Sequence, residues 1–569
     1  MTDPDRYRRQ QTSFSDERRA QTFVADLGGE CAPLASASLK AAAAAAGIAR
    51  VASDYHGSGG RGRHWLLGNH DALVETVNAD VEYDYLDPGF LADDLPAAID
   101  GRHNPWLVVH ANDPAAACAA LEQLGGLPVP VLLALAAPGG AVVERRPSPA
   151  SALERLGRAA RHGLVAPASA ELAIAAAGAA ISEIMLAGTS VAEDPAEPRT
   201  VLFYSLHRRR RIDLPREATW DDLAGELGEA PPRASFAGRR INQVGAGALG
   251  NWTSIGAALD GGVTMRVIDG DPQVEPHNLN RQVLLVHGVG RPKAPVLARE
   301  LRALDPSGAY EACARYVERP DDLAPLDGVD ALIMAPDNNA ARLVGADAAW
   351  RAGAPYAAGG TGVAGGQVVV QQPGRACFRC ITGLGDEPAP ATEDAGNSPC
   401  ALAADESIVA SNMVVAGLLV SELREALAGR RAQNLRFFGD GGRGNRLARM
   451  TSDPECPHRA DAGVREATCS RSPVRRGSPP VRRGSPPVRR GSPPVRRGSP
   501  PVRRGSPDPA DEPAGWHGQE TVPQQGGTVP QQEATVPQQE GTVPQQEATV
   551  PQQEATVPQQ EATVPQQGG

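Results

Sequence analysis

Lysine is almost missing from this chain: Lys40 and Lys293 are the two, although the sequence has 56 lysines and arginines together. The preference for arginine, combined with abundant alanine, reads as a coding bias and excludes no chemistry, but it makes a lysine inside a motif conspicuous. Long apolar runs are missing too. No stretch of 18 or more apolar residues exists, which argues against a membrane-spanning helix, and the opening MTDPDRYRRQ lacks the basic-then-apolar layout of a secretory signal. The expectation is a soluble, cytoplasmic protein. The eight cysteines, at positions 31, 118, 313, 377, 380, 400, 456 and 469, are too scattered for a disulfide framework and point to reduced thiols or metal ligands. Net positive charge is also lacking. The formal charge is -11, and residues 1–470 hold about -13, so the bulk electrostatics of that part oppose nucleic-acid binding.

The 569 residues are enough for several domains. From Arg471 the sequence becomes five VRRGSPP-type repeats, the fifth ending in Asp508, then seven of TVPQQ from Thr521 to Thr563. Residues 471–507 carry 11 arginines and no acid, and residues 508–569 carry nine acids and no base. Each seven-residue unit has one valine and at least one proline, which removes both the apolar seam and the helix of a coiled coil. Residues 461–569 are therefore expected to be a disordered tail. Its arginines could tether nucleic acid or acidic partners, or the repeats could be low-complexity sequence with no selected role.

The preceding residues read as two related halves. Leu107-Val108-Val109 running into Asn112-Asp113-Pro114 parallels Leu332-Ile333-Met334 running into Pro336-Asp337-Asn338. Ala177-Gly178 with Ile181-Ser182-Glu183 parallels Ala416-Gly417 with Val420-Ser421-Glu422, and strand-like 201–204 parallels 435–438. Shared order argues for tandem duplication, with residues 1–213 a degenerate half, 214–236 a linker and 237–460 an intact half.

The intact half opens with a strand-like run, Arg240 to Val244. A Gly245-Ala246-Gly247-Ala248-Leu249-Gly250 turn, a helix pattern and a second strand ending at Asp269 follow. That order is a nucleotide-binding βαβ unit: glycines allow close backbone approach, and the helix start offers free N–H groups to phosphate. Alone, it would suit a dehydrogenase equally well.

The next segment shifts the balance. Asp269-Gly-Asp271-Pro-Gln-Val274-Glu275-Pro-His277-Asn278-Leu279-Asn280-Arg281-Gln282 resembles the D-x-D-x-V-E-x-x-N-L-x-R-Q signature of ThiF, MoeB and the ubiquitin-activating enzymes. Lys293 stands at that family's phosphate lysine, and Asp337-Asn338 with Arg342 matches its D-N-x-x-x-R element. The resemblance implies an α/β, Rossmann-like fold with a largely parallel sheet and helices on both faces. It also implies ATP- and Mg²⁺-dependent adenylation of a carboxylate with release of pyrophosphate. In that reading Asp269 holds ribose, Asn278, Arg281 and Lys293 serve the phosphates, and Asp337 binds Mg²⁺. One extra residue before Val274 leaves open whether Asp269 or Asp271 is the ribose acid. The implied substrate is the C-terminal glycine of a ubiquitin-like or sulfur-carrier protein, with a downstream acceptor of acyl or sulfur. A peptide substrate, tRNA modification, or a non-catalytic nucleotide-binding role remain the alternatives.

Other positions are also read through the family. Cys377-Phe-Arg-Cys380 and Cys456-Pro-His458 resemble its zinc-binding pairs, although the second pair usually reads C-P-x-C and here ends in arginine; buried or redox-active thiols are the alternative to Zn²⁺. Cys400 lies near the family's thioester or persulfide cysteine, but lacks the usual stretch after it, so an ordinary small residue is the other reading. In the first half no glycine loop is recognisable, Asn112 stands where Asp337 would be and Ala117 where Arg342 would be. Arg6-Tyr7-Arg8-Arg9-Gln10 resembles the family's R-Y-x-R-Q opening, which makes Arg9 a candidate arginine finger on the other half's ATP.

Overall fold

Short β-branched and apolar runs bounded by turn residues form two separate sheets in a computed structural model of the chain. The structure describes residues 6–7, 10, 14–57, 64–157, 159, 169–187, 197–208, 212, 218–229, 231–362, 365–382, 384, 408–438 and 446–449. The chain divides into two units, Met1–Arg476 and Gly477–Gly569, and every described residue lies in the first.

The first sheet holds β1 (Thr22–Leu27), β2 (Arg50–Ser53), β3 (Glu82–Tyr85), β4 (Asn104–His110), β5 (Val131–Ala137), β6 (Gly140–Arg146) and β7 (Arg199–Ser205), in the order β3-β2-β1-β4-β5-β6-β7. The second holds β8 (Arg240–Val244), β9 (Thr264–Ile268), β10 (Ala309–Cys313), β11 (Ala331–Met334), β12 (Tyr356–Thr361), β13 (Gly365–Gln371), β14 (Leu435–Phe438) and β15 (Arg446–Arg449), in the order β10-β9-β8-β11-β12-β13-β14-β15. In both, the first five strands in sequence are parallel and the rest antiparallel. The expected α/β Rossmann-like class is what the chain adopts. Strand order reverses between β1 and β4 and between β8 and β11, and such reversal opens a crevice at the strands' carboxyl ends.

Six helices matter below: α1 (Pro33–Ala46), α2 (Ala170–Leu186), α3 (Ala248–Ala258), α4 (Lys293–Leu304), α5 (Asn339–Ala352) and α6 (Val409–Leu427). Helices α2 and α6 are apolar on nearly all sides, the pattern of a helix enclosed by protein, and they pack on one another between the sheets. A Cβ on Gly178 would lie 2.6 Å from that of Met413, and one on Gly417 would lie 2.2 Å from the Glu171 carbonyl oxygen. The contact is reciprocal: each glycine admits the early turns of the other helix. One continuous core therefore includes Trp106 and Ile181 from the first part and Trp252 and Leu419 from the second. Buried polar groups cross the same boundary. Arg424 reaches Asp260 at 2.6 and 2.9 Å and Glu171 at 3.4 Å, its guanidinium lies over Phe236, and Tyr204 donates to Glu422 at 2.7 Å.

The stretch 214–236, expected to be a linker, is corrected in its middle. Thr219 and Asp222 form a capping box, and the helix Trp220–Gly228 buries Trp220, Leu223, Ala224 and Leu227 against β5 and β6. That i, i+3, i+4, i+7 spacing makes one apolar face, and it belongs to the first sheet's core. Among the described residues, no helix is long and apolar enough to cross a membrane.

Candidate active site

The second sheet's crevice begins at the turn after β8. Gly245 has φ +96°, and a Cβ there would stand 2.5 Å from the Ala335 carbonyl oxygen on the neighbouring β11 segment. A Cβ on Gly250 would meet the Gly245 carbonyl at 2.0 Å, so α3 closes onto the turn only with glycine there. Gly247, the residue capping α3, faces open space. The result is a helix start with room in front of Gly247, the kind of terminus that can receive an anion. Buried Gln243 fixes this turn by donating to the carbonyls of Gly245 and Gly250 and to Ser254 Oγ. Asn251 ties it to the next loop: its amide donates to Ala246 and Gly247, and its oxygen accepts from Leu284 N. Neither residue was singled out from sequence, because a Gln in a strand and an Asn in a helix carry no motif.

At the end of β9, Asp269 accepts from Ala246 N at 2.6 Å and from Asp271 N at 2.8 Å. Burial pushes its carboxyl above the ordinary range, with those two N–H groups pulling the other way. Asp271 makes a direct ion pair with Lys293, the first residue of α4. The two aspartates are thus separated by geometry, Asp269 facing the glycine turn and Asp271 the lysine.

Asn278 is buried, but its oxygen accepts from Glu275 N and shapes the loop. Arg281 is 4% exposed and donates to Asn280 Oδ1 at 3.0 Å. Beside it, Asn280 Nδ2 and Gln282 Oε1 are buried without a hydrogen-bond partner among the described residues. Leaving such groups unpaired is costly, so a ligand that reaches them fits the site. Sequence reasoning missed Asn280, which occupies the variable place in the motif.

Across the crevice, β11 ends at Met334 and leads to Asp337, an exposed carboxylate that Asn338 Nδ2 approaches at 3.4 Å. Asn338 caps α5 through Ala341 N. Arg342 is buried and donates to the Pro336 carbonyl and Asn339, so it clamps the loop that presents Asp337. Among the described residues no three metal-ligating side chains cluster; an ion at Asp337 would draw further oxygens from a bound phosphate, which suits Mg²⁺.

Residues 234–457 match the ThiF family. The chain carries a ThiF-family domain. Among curated proteins it is similar to the SAMP-activating enzyme E1 of Haloferax volcanii, 33% identical over 152 residues, which is 26% of this chain and 55% of that enzyme. The chain thus spans little more than half the length of that relative. Among solved structures it is similar to E. coli MccB with ATP, at 20% identity and a TM-score of 0.33 over 39% of this chain and 67% of that one. The microcin C7 biosynthetic enzyme MccB with N-formylated MccA gives 21% and 0.34 over the same shares.

Within the ThiF domain, Cys377 and Cys380 bring their sulfurs to 3.6 Å. Among the described residues no third metal-ligating side chain joins them, so the zinc expectation gains no support here. Cys400, Cys456 and His458 lie outside the described residues, as does Arg9.

Outside the ThiF domain, the first sheet holds a turn the sequence does not announce. Gly28, φ +75°, follows β1 and donates to Asp54 after β2 at 2.8 Å, as Ala246 does to Asp269. Its surroundings differ. Lys40 is fully buried and bound to Asp26 at 2.9 Å, Ser36, His70 and the Tyr55 carbonyl. Burial alone would raise the Asp26 carboxyl, but Lys40 and His110 hold it well below the ordinary range. Asn112 donates to the Ala136 carbonyl. The second lysine of the chain is an internal ion-pair partner with no charge facing the crevice.

Proposed function

We propose that this chain adenylates a carboxylate with ATP and Mg²⁺, the substrate being the C-terminal glycine of a ubiquitin-like or sulfur-carrier protein. The observation that supports it most is the open glycine turn with Asp269 bound to it and Lys293 paired with the neighbouring Asp271, accompanied by buried Arg281 and by exposed Asp337 after the adjacent strand β11. The ThiF match supports the reaction class, and the SAMP-activating relative supports a protein substrate.

In this reading a carboxylate oxygen attacks the α-phosphorus of ATP, an acyl-adenylate forms, and the bond to the β-phosphate breaks with its electron pair leaving on pyrophosphate. A carboxylate is already a nucleophile at neutral pH, so no general base is required. The obstacle is anion approaching polyanion, which fixed cations and positioning reduce. Asp269 accepts a ribose hydroxyl, the α3 start receives phosphate oxygens, and Lys293 exchanges Asp271 for the triphosphate. Mg²⁺ held by Asp337 would neutralise the leaving pyrophosphate. Carrier-dependent exchange of labelled pyrophosphate into ATP tests the reading, and its absence with a panel of glycine-ending carrier proteins would refute it.

The division into a degenerate half, 1–213, an intact half, 237–460, and a tail, 461–569, is part of the proposal. The shared strand order and the reciprocal Gly178 and Gly417 contacts support it. Arg9 is proposed as a finger on the triphosphate: Tyr7 packs on Gly47 and Gln10 donates to Ala46 at 2.7 Å at the end of α1, a helix that also touches Val283–Leu285 beside Arg281. Cys400 is proposed to accept the activated acyl group or sulfur, so Cys400→Ala should keep exchange and lose transfer. In the reduced chain Cys377, Cys380, Cys456 and His458 are proposed to bind one zinc; metal analysis should find it, and find it lost in Cys377→Ser.

A further inference from the structure

The loop after β10 carries Tyr316, a residue 60% exposed, at the edge of a charged crevice. Its position is built. A Cβ on Gly270 would lie 2.4, 2.5 and 2.6 Å from Cγ, Cδ1 and Cδ2 of that ring. Three nearly equal distances put this point above the ring face, since a point beside the ring edge could not be so close to all three. One face therefore rests on the bare backbone between Asp269 and Asp271, and the hydroxyl donates to Asp271 Oδ1 at 3.2 Å. Asp271 in turn pairs with Lys293.

We infer that Tyr316 is the platform on which the nucleobase stacks. The inference rests on the nucleotide reading of this crevice. Adjacent strands lie about 4.8 Å apart, so phosphate at the β8 turn and ribose at the β9 end direct the base towards the β10 loop, roughly two strand spacings from the turn. That is where the ring stands, held flat by Gly270 and anchored at its hydroxyl. A π-face accepts any base but gains more from a purine, through greater overlap. The first sheet differs: Tyr55 follows Asp54 where Gly270 follows Asp269, and the exposed Tyr85 at the end of β3 stacks on the His56 ring, centroids 3.7 Å apart, and not on bare backbone.

Titration calorimetry of the full chain with ATP, and separately with inorganic tripolyphosphate, tests the assignment in wild type, Tyr316→Phe and Tyr316→Ala. Losing a stacking face should weaken ATP binding about ten-fold or more. The expected result is that loss in Tyr316→Ala alone, with Tyr316→Phe close to wild type and tripolyphosphate unchanged throughout. Equal ATP affinity in Tyr316→Ala, an equal loss in Tyr316→Phe, or a matching loss for tripolyphosphate would each overturn the platform. A wild-type chain that binds neither probe overturns the nucleotide reading and this inference with it. Failure of pyrophosphate exchange alongside the expected Tyr316→Ala loss overturns adenylation alone.

Discussion

At the scale of single residues, the site separates groups that look alike in sequence. Asp337 is exposed, so Asp337→Ala should abolish pyrophosphate exchange while moving stability by no more than ~0.5 kcal/mol, the usual range for surface substitutions. Exchange measured beside thermal unfolding checks both halves of that statement. Arg281, Lys293 and Asp337 were legible as candidates because their motif fixes identity and spacing. The division of labour between Asp269 and Asp271 was not, since an extra residue blurs the spacing, and hydrogen bonds to Ala246 and Lys293 separate them only in three dimensions. Gln243, Asn251 and Tyr316 were invisible for the same reason: each acts through a neighbour distant in sequence or through a backbone without a side chain.

Elements are held by close approach, and glycines report where. Gly417→Ala would drive a methyl into the Glu171 carbonyl and should cost ~1–3 kcal/mol, the range for overpacking. Gly225, exposed on the helix Trp220–Gly228 with nothing within 4 Å, is the control; alanine there should stabilise by ~0.5–1 kcal/mol. Denaturant titration of the two variants distinguishes them by sign. Helix α4, which begins with Lys293, is held from the first sheet's side by His64 and Trp65, which approach Glu300 at 3.2 and 3.4 Å. Burial would raise the Glu300 carboxyl, but hydrogen bonds from His64, Arg299 and Trp65 lower it from 4.5 to about 2. A depressed acid stabilises the fold above its unfolded value and loses that contribution as pH falls through the folded one. Glu300→Gln should therefore flatten the fall in stability between pH 4.5 and about 2 relative to wild type; parallel curves would show that this contact contributes nothing. The pattern of strands and the apolar helices α2 and α6 could be read in advance. The helix Trp220–Gly228 could not be separated from a linker, because its apolar face is short and its surroundings are rich in proline and glycine.

On the scale of the whole molecule, the two sheets share one core, so their folding should be coupled. Residues 237–476 expressed alone would expose the face of α6 that α2 covers, and they are expected to be insoluble unless residues 1–236 are co-expressed. A soluble, cooperatively unfolding fragment would show that the first sheet is dispensable. The proposed duplication rests on the order of short matches in the sequence, and at α2 and α6 each helix supplies the surface the other needs. The first sheet has a glycine turn and an acid, but its lysine is buried against Asp26, so the proposal puts the polyanion in the second sheet's crevice. The most direct test of that account is exchange of labelled pyrophosphate into ATP by the full chain, with Mg²⁺ and a glycine-ending carrier protein. The account predicts exchange that requires the carrier and disappears in Asp337→Ala. Exchange that persists undiminished in a folded Asp337→Ala chain, or ATP binding with no exchange for any carrier, would contradict it.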